Sequence, residues 1–359
     1  MRNNHRWKQL VLPVLLGCLA ATPLTYVPSP APAAIAASAT AQQFMNFGLI
    51  AYTQKNYDAA LKAMAKALEL DPTDAENFCT RGTVYYELGK LSEAIDDYTK
   101  AIQLKPDFQE PYAFRGLAYN DISHFSEAIS DLNRAIELNP SDSYSYCNRG
   151  VAYRYLGMYE NALADFTRAN EIAEDYKNYE QRAATYTQMK QYDAALTDFA
   201  SAIALAPQKF SIYLNRGKLY MAQQDYSSAI EDFSKAAELA KTKEESASAH
   251  CERGFASLAQ SDNEAAVADF TSVLKEFSYM EAYNGRGRAY RALGELDRSL
   301  ADFQAAVKIN PNSAAYSKDY AEALYDAQRY EEAYRYATKA NDIQAGIADE
   351  LLDNILAKL

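Results

Sequence analysis

The chain has 359 residues, with 48 Asp and Glu against 36 Lys and Arg, for a formal net charge of −12. Such a charge keeps a protein soluble and repels nucleic-acid phosphates, and no cluster of arginine or lysine offsets it, so nucleic acid is excluded as a partner. Four cysteines and three histidines are scattered without any metal-ligand spacing.

The first 39 residues contain no acid. Arg2, His5, Arg6 and Lys8 make a positive start, Leu10 to Ala21 is apolar, and Ala37-Ser38-Ala39 offers a small-x-small cleavage site before Thr40. The apolar run is too short, and too interrupted by Pro13 and Pro23, for a membrane span of about 20 residues. The pattern reads as a secretory signal. Leu15-Leu16-Gly17-Cys18 also resembles a bacterial lipoprotein box, in which Cys18 would be lipidated and Thr22 to Ala39 would serve as a tether. The proximity of Lys8 and the apolar residues beyond Cys18 are atypical of that motif. The expected location is therefore exported, periplasmic or secreted, with membrane attachment only through a lipidated Cys18 or a retained signal. Cleavage near Ala39 removes Arg2, Arg6 and Lys8 and no acid, which takes the charge from −12 to about −15.

From Ala41 onward the chain repeats itself. An arginine is followed sixteen residues later by an aspartate in Arg81/Asp97, Arg115/Asp131, Arg149/Asp165, Arg182/Asp198, Arg216/Asp232, Arg253/Asp269 and Arg286/Asp302. Position 8 of each unit is small, as at Gly82, Gly217 and Ala321, and position 24 is large in every unit but the last, as at Tyr98 and Phe233, with Ala337 the exception. This frame resembles the tetratricopeptide repeat, a helix-turn-helix unit that stacks into a solenoid. The resemblance gives nine repeats, at 41–74, 75–108, 109–142, 143–175, 176–209, 210–246, 247–279, 280–313 and 314–347. It implies an all-α fold, an αα-hairpin solenoid winding as a right-handed superhelix.

Positions 7 and 23 are mirror images about position 15, where Gly89, Gly157 and Gly294 stand. A hairpin turning there sets arginine and aspartate level with each other, and glycine accepts the left-handed helix cap cheaply. Prolines 72, 106, 140, 207 and 311 close the second helix, and Thr73-Asp74, Ser141-Asp142 and Asn312-Ser313 offer N-caps to the next. Repeat 1 carries Phe47 and Ala63 in place of the pair, and repeat 9 carries Tyr320 and Tyr336. Loss of both partners together is what an ion pair predicts.

Repeats 4 and 7 are one residue short, and repeat 6 has three extra around Lys241 to Ser246. The expectation is a longer second helix or a larger loop in repeat 6, with a local change of curvature; a tolerated loop insertion is the alternative. At the C-terminus, Ile347, Leu351, Ile355 and Leu359 fall four residues apart, so 345–359 reads as a capping helix over the last repeat.

No phosphate loop, nucleophile elbow or histidine-carboxylate-serine set is recognisable, and repeats plus cap leave no room for a catalytic domain. The reading is a non-enzyme without cofactor. In the resembled family the groove is lined by positions 2, 5, 9, 12 and 13 of the first helix. Here these give an acidic stretch (Glu76, Glu87, Glu110, Asp121), an apolar one (Tyr144, Tyr155, Leu214, Met221, Phe255, Leu258) and a basic, amide-bearing one (Asn284, Arg288, Arg291, Lys318). Tyr52 and Tyr86 join them as tyrosines outside the packing frame. No repeat matches the family's lysine-asparagine clamp for a carboxylate, and Asn284, Arg288 and Lys318 come nearest to it. Cys79, Cys147 and Cys251 share position 5 in repeats too far apart for the ~7 Å reach of a disulfide, so free thiols are expected. The resemblance implies an interaction scaffold holding a protein or extended peptide in its groove. An envelope-biogenesis factor or lipoprotein that recruits an enzyme or glycan polymer is the alternative.

Overall fold

The computed structural model describes residues 32–359, with side chains from Thr40 onward. Residues 1–31, including Cys18 and most of the signal-like segment, lie outside the described residues. The described residues form nineteen helices and no strand. They are α1 (Pro32–Thr53), α2 (Tyr57–Leu70), α3 (Ala75–Glu87), α4 (Leu91–Leu104), α5 (Gln109–Asp121), α6 (Phe125–Leu138), α7 (Ser143–Tyr155), α8 (Tyr159–Ile172), α9 (Tyr176–Gln188) and α10 (Tyr192–Leu205). There follow α11 (Phe210–Ala222), α12 (Tyr226–Leu239), α13 (Lys243–Ala259), α14 (Asn263–Leu274), α15 (Met280–Ala292), α16 (Leu296–Ile309), α17 (Ala314–Asp326), α18 (Tyr330–Ile343) and α19 (Asp349–Leu356). The chain divides into two compact units, Met1–Thr185 and Tyr186–Leu359, with the division inside α9.

Within the first unit α1/α2, α3/α4, α5/α6 and α7/α8 pack as hairpins, and α2, α4 and α6 each pack against the helix that follows. The second unit repeats the scheme with α11/α12, α13/α14, α15/α16 and α17/α18. The turn inside each repeat has one form throughout. Position 15 is left-handed in all nine repeats, at φ 72°, 75° and 78° for Gly89, Gly157 and Gly294 and at 59° to 65° for Lys55, Ser123, Lys190, Gln224, Ser261 and Gln328. The amide of the next residue reaches back five residues, as in Lys90 N to Tyr85 O at 2.9 Å and Asp225 N to Tyr220 O at 3.0 Å, which satisfies a carbonyl left open at the helix end. Six repeats thus hold a side chain in a conformation that costs about 1 kcal/mol or more outside glycine.

Packing within a hairpin follows from the small and large positions. A Cβ on Gly217 would stand 2.6 Å from Phe233, so that fully buried ring would have to shift to admit it. Alanine stands at position 8 twice: repeat 9 pairs Ala321 with Ala337, both fully buried, whereas repeat 5 carries Phe199 at position 24 with Ala183. Asp74, Asp142 and Ser313 cap α3, α7 and α17 as their placement after the prolines predicts.

The extra residues of repeat 6 do not go where the sequence reading placed them. Helix α12 keeps the ordinary 14 residues, and α13, the first helix of repeat 7, is lengthened at its start to 17. Thr242 caps it by accepting from Glu245 N at 3.1 Å, while Glu245 accepts from Lys241 N at 2.7 Å. This reciprocal capping fixes the new start four residues ahead of the Ala247 frame. Helix α1 also starts early, at Pro32, nine residues before Ala41.

The cap forms as expected in outline. Beyond Gly346 at φ 81°, α19 lays Ile355, fully buried, against the α17/α18 core, with Ile347, Leu351 and Leu352 partly buried beside it. Leu359 does not join that face and is 62% exposed, because the helix ends at Leu356.

Candidate functional site

The groove residues stand on the first helices of the repeats, so what fixes these helices to one another fixes the site. Six of the Arg/Asp pairs lie within a unit, and in all six the guanidinium donates through Nε and Nη2 to both carboxylate oxygens at 2.6 to 2.9 Å. The seventh, Arg182/Asp198, falls across the division between units. The aspartate side chains are 7% to 9% exposed and the arginines 16% to 27%. Burial pushes the Asp97 and Asp165 carboxyls upward, and the bonds from their arginines act against it. The arginines are in turn raised, Arg149 chiefly by its bond to Asp165. Tyrosines at position 11 flank the guanidinium, as Tyr153 does Arg149 at 5.8 Å and Tyr220 does Arg216 at 5.9 Å.

The free nitrogen of the same arginine makes a third bond that the spacing reading did not include. Nη1 donates to position 25 of the preceding repeat: Arg115 to Thr99, Arg149 to Asn133, Arg182 to Thr167, Arg253 to Ser234 and Arg286 to Thr271, at 2.7 to 3.1 Å. Where position 25 is Ala65 or Ala200, it offers no side-chain acceptor to Arg81 or Arg216. Each complete arginine therefore ties two helices of its own repeat to the repeat before it.

On the groove face of the first unit, the expected acidic stretch is largely engaged within the chain. Tyr52 OH donates to Glu87 and Tyr86 OH to Asp121, both across 35 residues between neighbouring first helices. Burial raises the Tyr86 hydroxyl, with the Asp121 charge adding to it, and burial also raises Asp121 against the pull of the tyrosine bond. Glu76 is exposed, 3.6 Å from Lys105 Nζ. Glu110 is half-buried. Tyr144 packs against the Tyr86 and Tyr98 cluster, edge-on to Phe114 at 6.4 Å. Tyr155 is 60% exposed and stacks on Phe125, with ring centroids 4.9 Å apart and planes 4° from parallel.

In the second unit, Leu214 and Met221 pack on the Phe233 and Ala256 cluster, and Phe255 meets Phe270 edge-on at 5.0 Å. The basic stretch is charge-balanced rather than open. Arg291 donates to Glu322 and Asp326 at 2.5 Å each, Lys318 lies 3.8 Å from Glu322, and buried Asn284 donates to Asp319 at 2.8 Å. The acids Asp319, Glu322 and Asp326 are the residues that the reading of this stretch left out. The 35-residue spacing of Tyr52/Glu87 and Tyr86/Asp121, repeated in Asn284/Asp319 and Arg291/Asp326, is the signal for two of them, while Glu322 lies 31 residues from Arg291.

Arg288 differs. It is exposed, makes no ion pair among the described residues, and borders a pocket of about 360 Å³ lined by Phe255, Leu258, Ala259, Ser261, Asn263 and Ala292. That pocket sits between α13 and α15 and joins an apolar floor to one exposed cation, whose charge also reaches Asp319. No disulfide joins the three cysteines of the described residues, and Cys79 is buried. Burial pushes the Cys147 and Cys251 thiols up to about 12, away from the reactive thiolate form. Among the described residues no group of three His, Cys, Asp or Glu could hold a metal ion, and no helix is long and apolar enough to cross a membrane.

No curated protein matches the chain. Family models described as TPR repeat match residues 82–123, 116–157 and 184–224, and models described as tetratricopeptide repeat match 41–74, 143–176, 210–243, 252–314 and 288–345. Among solved structures, a tetratricopeptide repeat protein from Parabacteroides merdae is 21% identical and aligns with TM-score 0.58 over 70% of this chain and 99% of its own. The APC/C hetero-tetramer Cut9-Hcn1 aligns with TM-score 0.55 at 15% identity, over 83% of this chain and 59% of that one. At such identities the structural likeness speaks for the fold alone, and the repeat models carry the assignment: the chain belongs to the tetratricopeptide repeat family.

Proposed function

We propose that this interaction scaffold is an exported, non-enzymatic protein that holds a protein or extended peptide on its groove face, at the pocket between α13 and α15. The observation that carries the reading is the pairing of Arg288, an exposed cation in no ion pair among the described residues, with the apolar floor of Phe255 and Leu258. A bulky apolar side chain next to a carboxylate fits that combination, because the ring faces take the one and the guanidinium the other. Every other cation of the stretch is already satisfied by an acid of its own chain. The exported location rests on the residue pattern of the first 39 residues.

Selection of peptides from a random display library on the purified protein tests the reading. Enriched sequences should place a large apolar residue beside Asp, Glu or a terminal carboxylate. Arg288→Ala should weaken their binding about tenfold or more, the value of a charge-assisted hydrogen bond. Arg298→Ala, on a second helix, should leave it unchanged. Enrichment of no such motif, or an Arg288→Ala variant with undiminished affinity, counts against the proposal.

A further inference from the structure

The first helix presents a face that every later repeat buries. Position 10 is 0% exposed in repeats such as those of Val84, Ala152, Leu219 and Ala323, because it sinks against the second helix of the repeat before; Val84 lies on Met64 and Ala67. Among the described residues no helix precedes α1. There position 10 is Ile50, 55% exposed, and position 7, the place of the inter-repeat arginine, is Phe47, 57% exposed. Phe44, 37% exposed, borders them one turn earlier. The surface is shaped to receive a helix.

We propose that a second copy of this chain covers it, the two α1 faces meeting about a two-fold axis. Two observations choose this occupant. Residues 32–54 contain no Asp, Glu, Lys or Arg, in a chain of net charge −12. Like-charged copies approach without repulsion through such a charge-free surface. The last hairpin of the second unit is closed, since α19 covers it with Ile355 and Ala348, 0% and 2% exposed. A head-to-tail stack would need that end open, so the contact is self-complementary and stops at two copies.

Sedimentation equilibrium of the full chain, purified as the producing cell delivers it, tests the proposal. A dimer is expected at tens of micromolar. Phe47→Glu and Ile50→Glu, at exposed sites, should each raise the dissociation constant at least tenfold while leaving the helical circular dichroism unchanged. Leu359→Glu, an exposed apolar residue at the capped end, should leave the dimer intact. A monomeric unsubstituted protein, as would result if residues 1–31 of the same chain covered the face, overturns the proposal. So does a dimer that Leu359→Glu dissociates or that both α1 variants retain.

Discussion

At the scale of the residue, the bidentate arginine is the device that recurs most faithfully, and its energetics follow from unequal burial. The aspartate is nearly enclosed while the guanidinium keeps a share of solvent, as the 7% and 18% exposures of Asp165 and Arg149 show. Removing the cation strands the buried anion. Arg149→Met should therefore lower stability by about 3 kcal/mol, read from the urea unfolding midpoint, and Arg149→Met with Asp165→Leu should recover most of that loss. A double change that is no more stable than the single one would show that packing, not charge, holds the pair. The sixteen-residue spacing made this contact legible in the sequence, because reflection about the turn at position 15 needs only the repeat frame. The third bond of the arginine was not legible by the same route. Thr99, Asn133, Thr167, Ser234 and Thr271 stand at one frame position with different side chains, and only the packing of successive repeats shows that all of them meet a guanidinium.

At the scale of the element, the left-handed turn decides where each hairpin folds back. Glycine fills it in three repeats, and six others hold a residue with a Cβ at φ near 60°. Gln224→Gly and Ser123→Gly should each raise stability by about 1 kcal/mol, and Gly157→Ala should lower it by a similar amount, as shifts of the urea midpoint. Equal midpoints for all three variants would mean that the turn is imposed by packing at no local cost. The same scale shows why the extra residues of repeat 6 enlarge neither its second helix nor its loop. Counting extra residues says how many there are, whereas the side chains say where they go: Thr242 followed by Glu245 is a helix-start signal, and it lengthens α13 instead of α12. The groove suffered a related misreading. Charges were assigned helix by helix, and neighbouring helices supplied the opposite charge, so Arg291 and Lys318 are engaged and Arg288 is the cation that stays available.

At the scale of the whole molecule, the fold was readable almost entirely, since nine copies of one frame average out local ambiguity. The site was readable only as a face. Its polarity depends on pairs that form between repeats, which a single unit cannot display. The proposed export joins both ends of this reading: cleavage after Ala39 would leave Thr40–Thr53 as the first helix, matched in span to the others. Intact-mass measurement of the protein recovered from the envelope fraction should give a chain starting at Thr40. A mass carrying fatty acyl groups on Cys18 would replace that product with a tethered lipoprotein, and an undiminished mass would show a retained leader.

The arginine that lacks its outer acceptor gives the array a grain. Next to Ala65 and Ala200 the arginine of the following repeat meets no side-chain acceptor at position 25, while at Asn133 and Thr271 a guanidinium rivets the seam. In dilute denaturant those two seams would part before the riveted ones, like paper along its perforations.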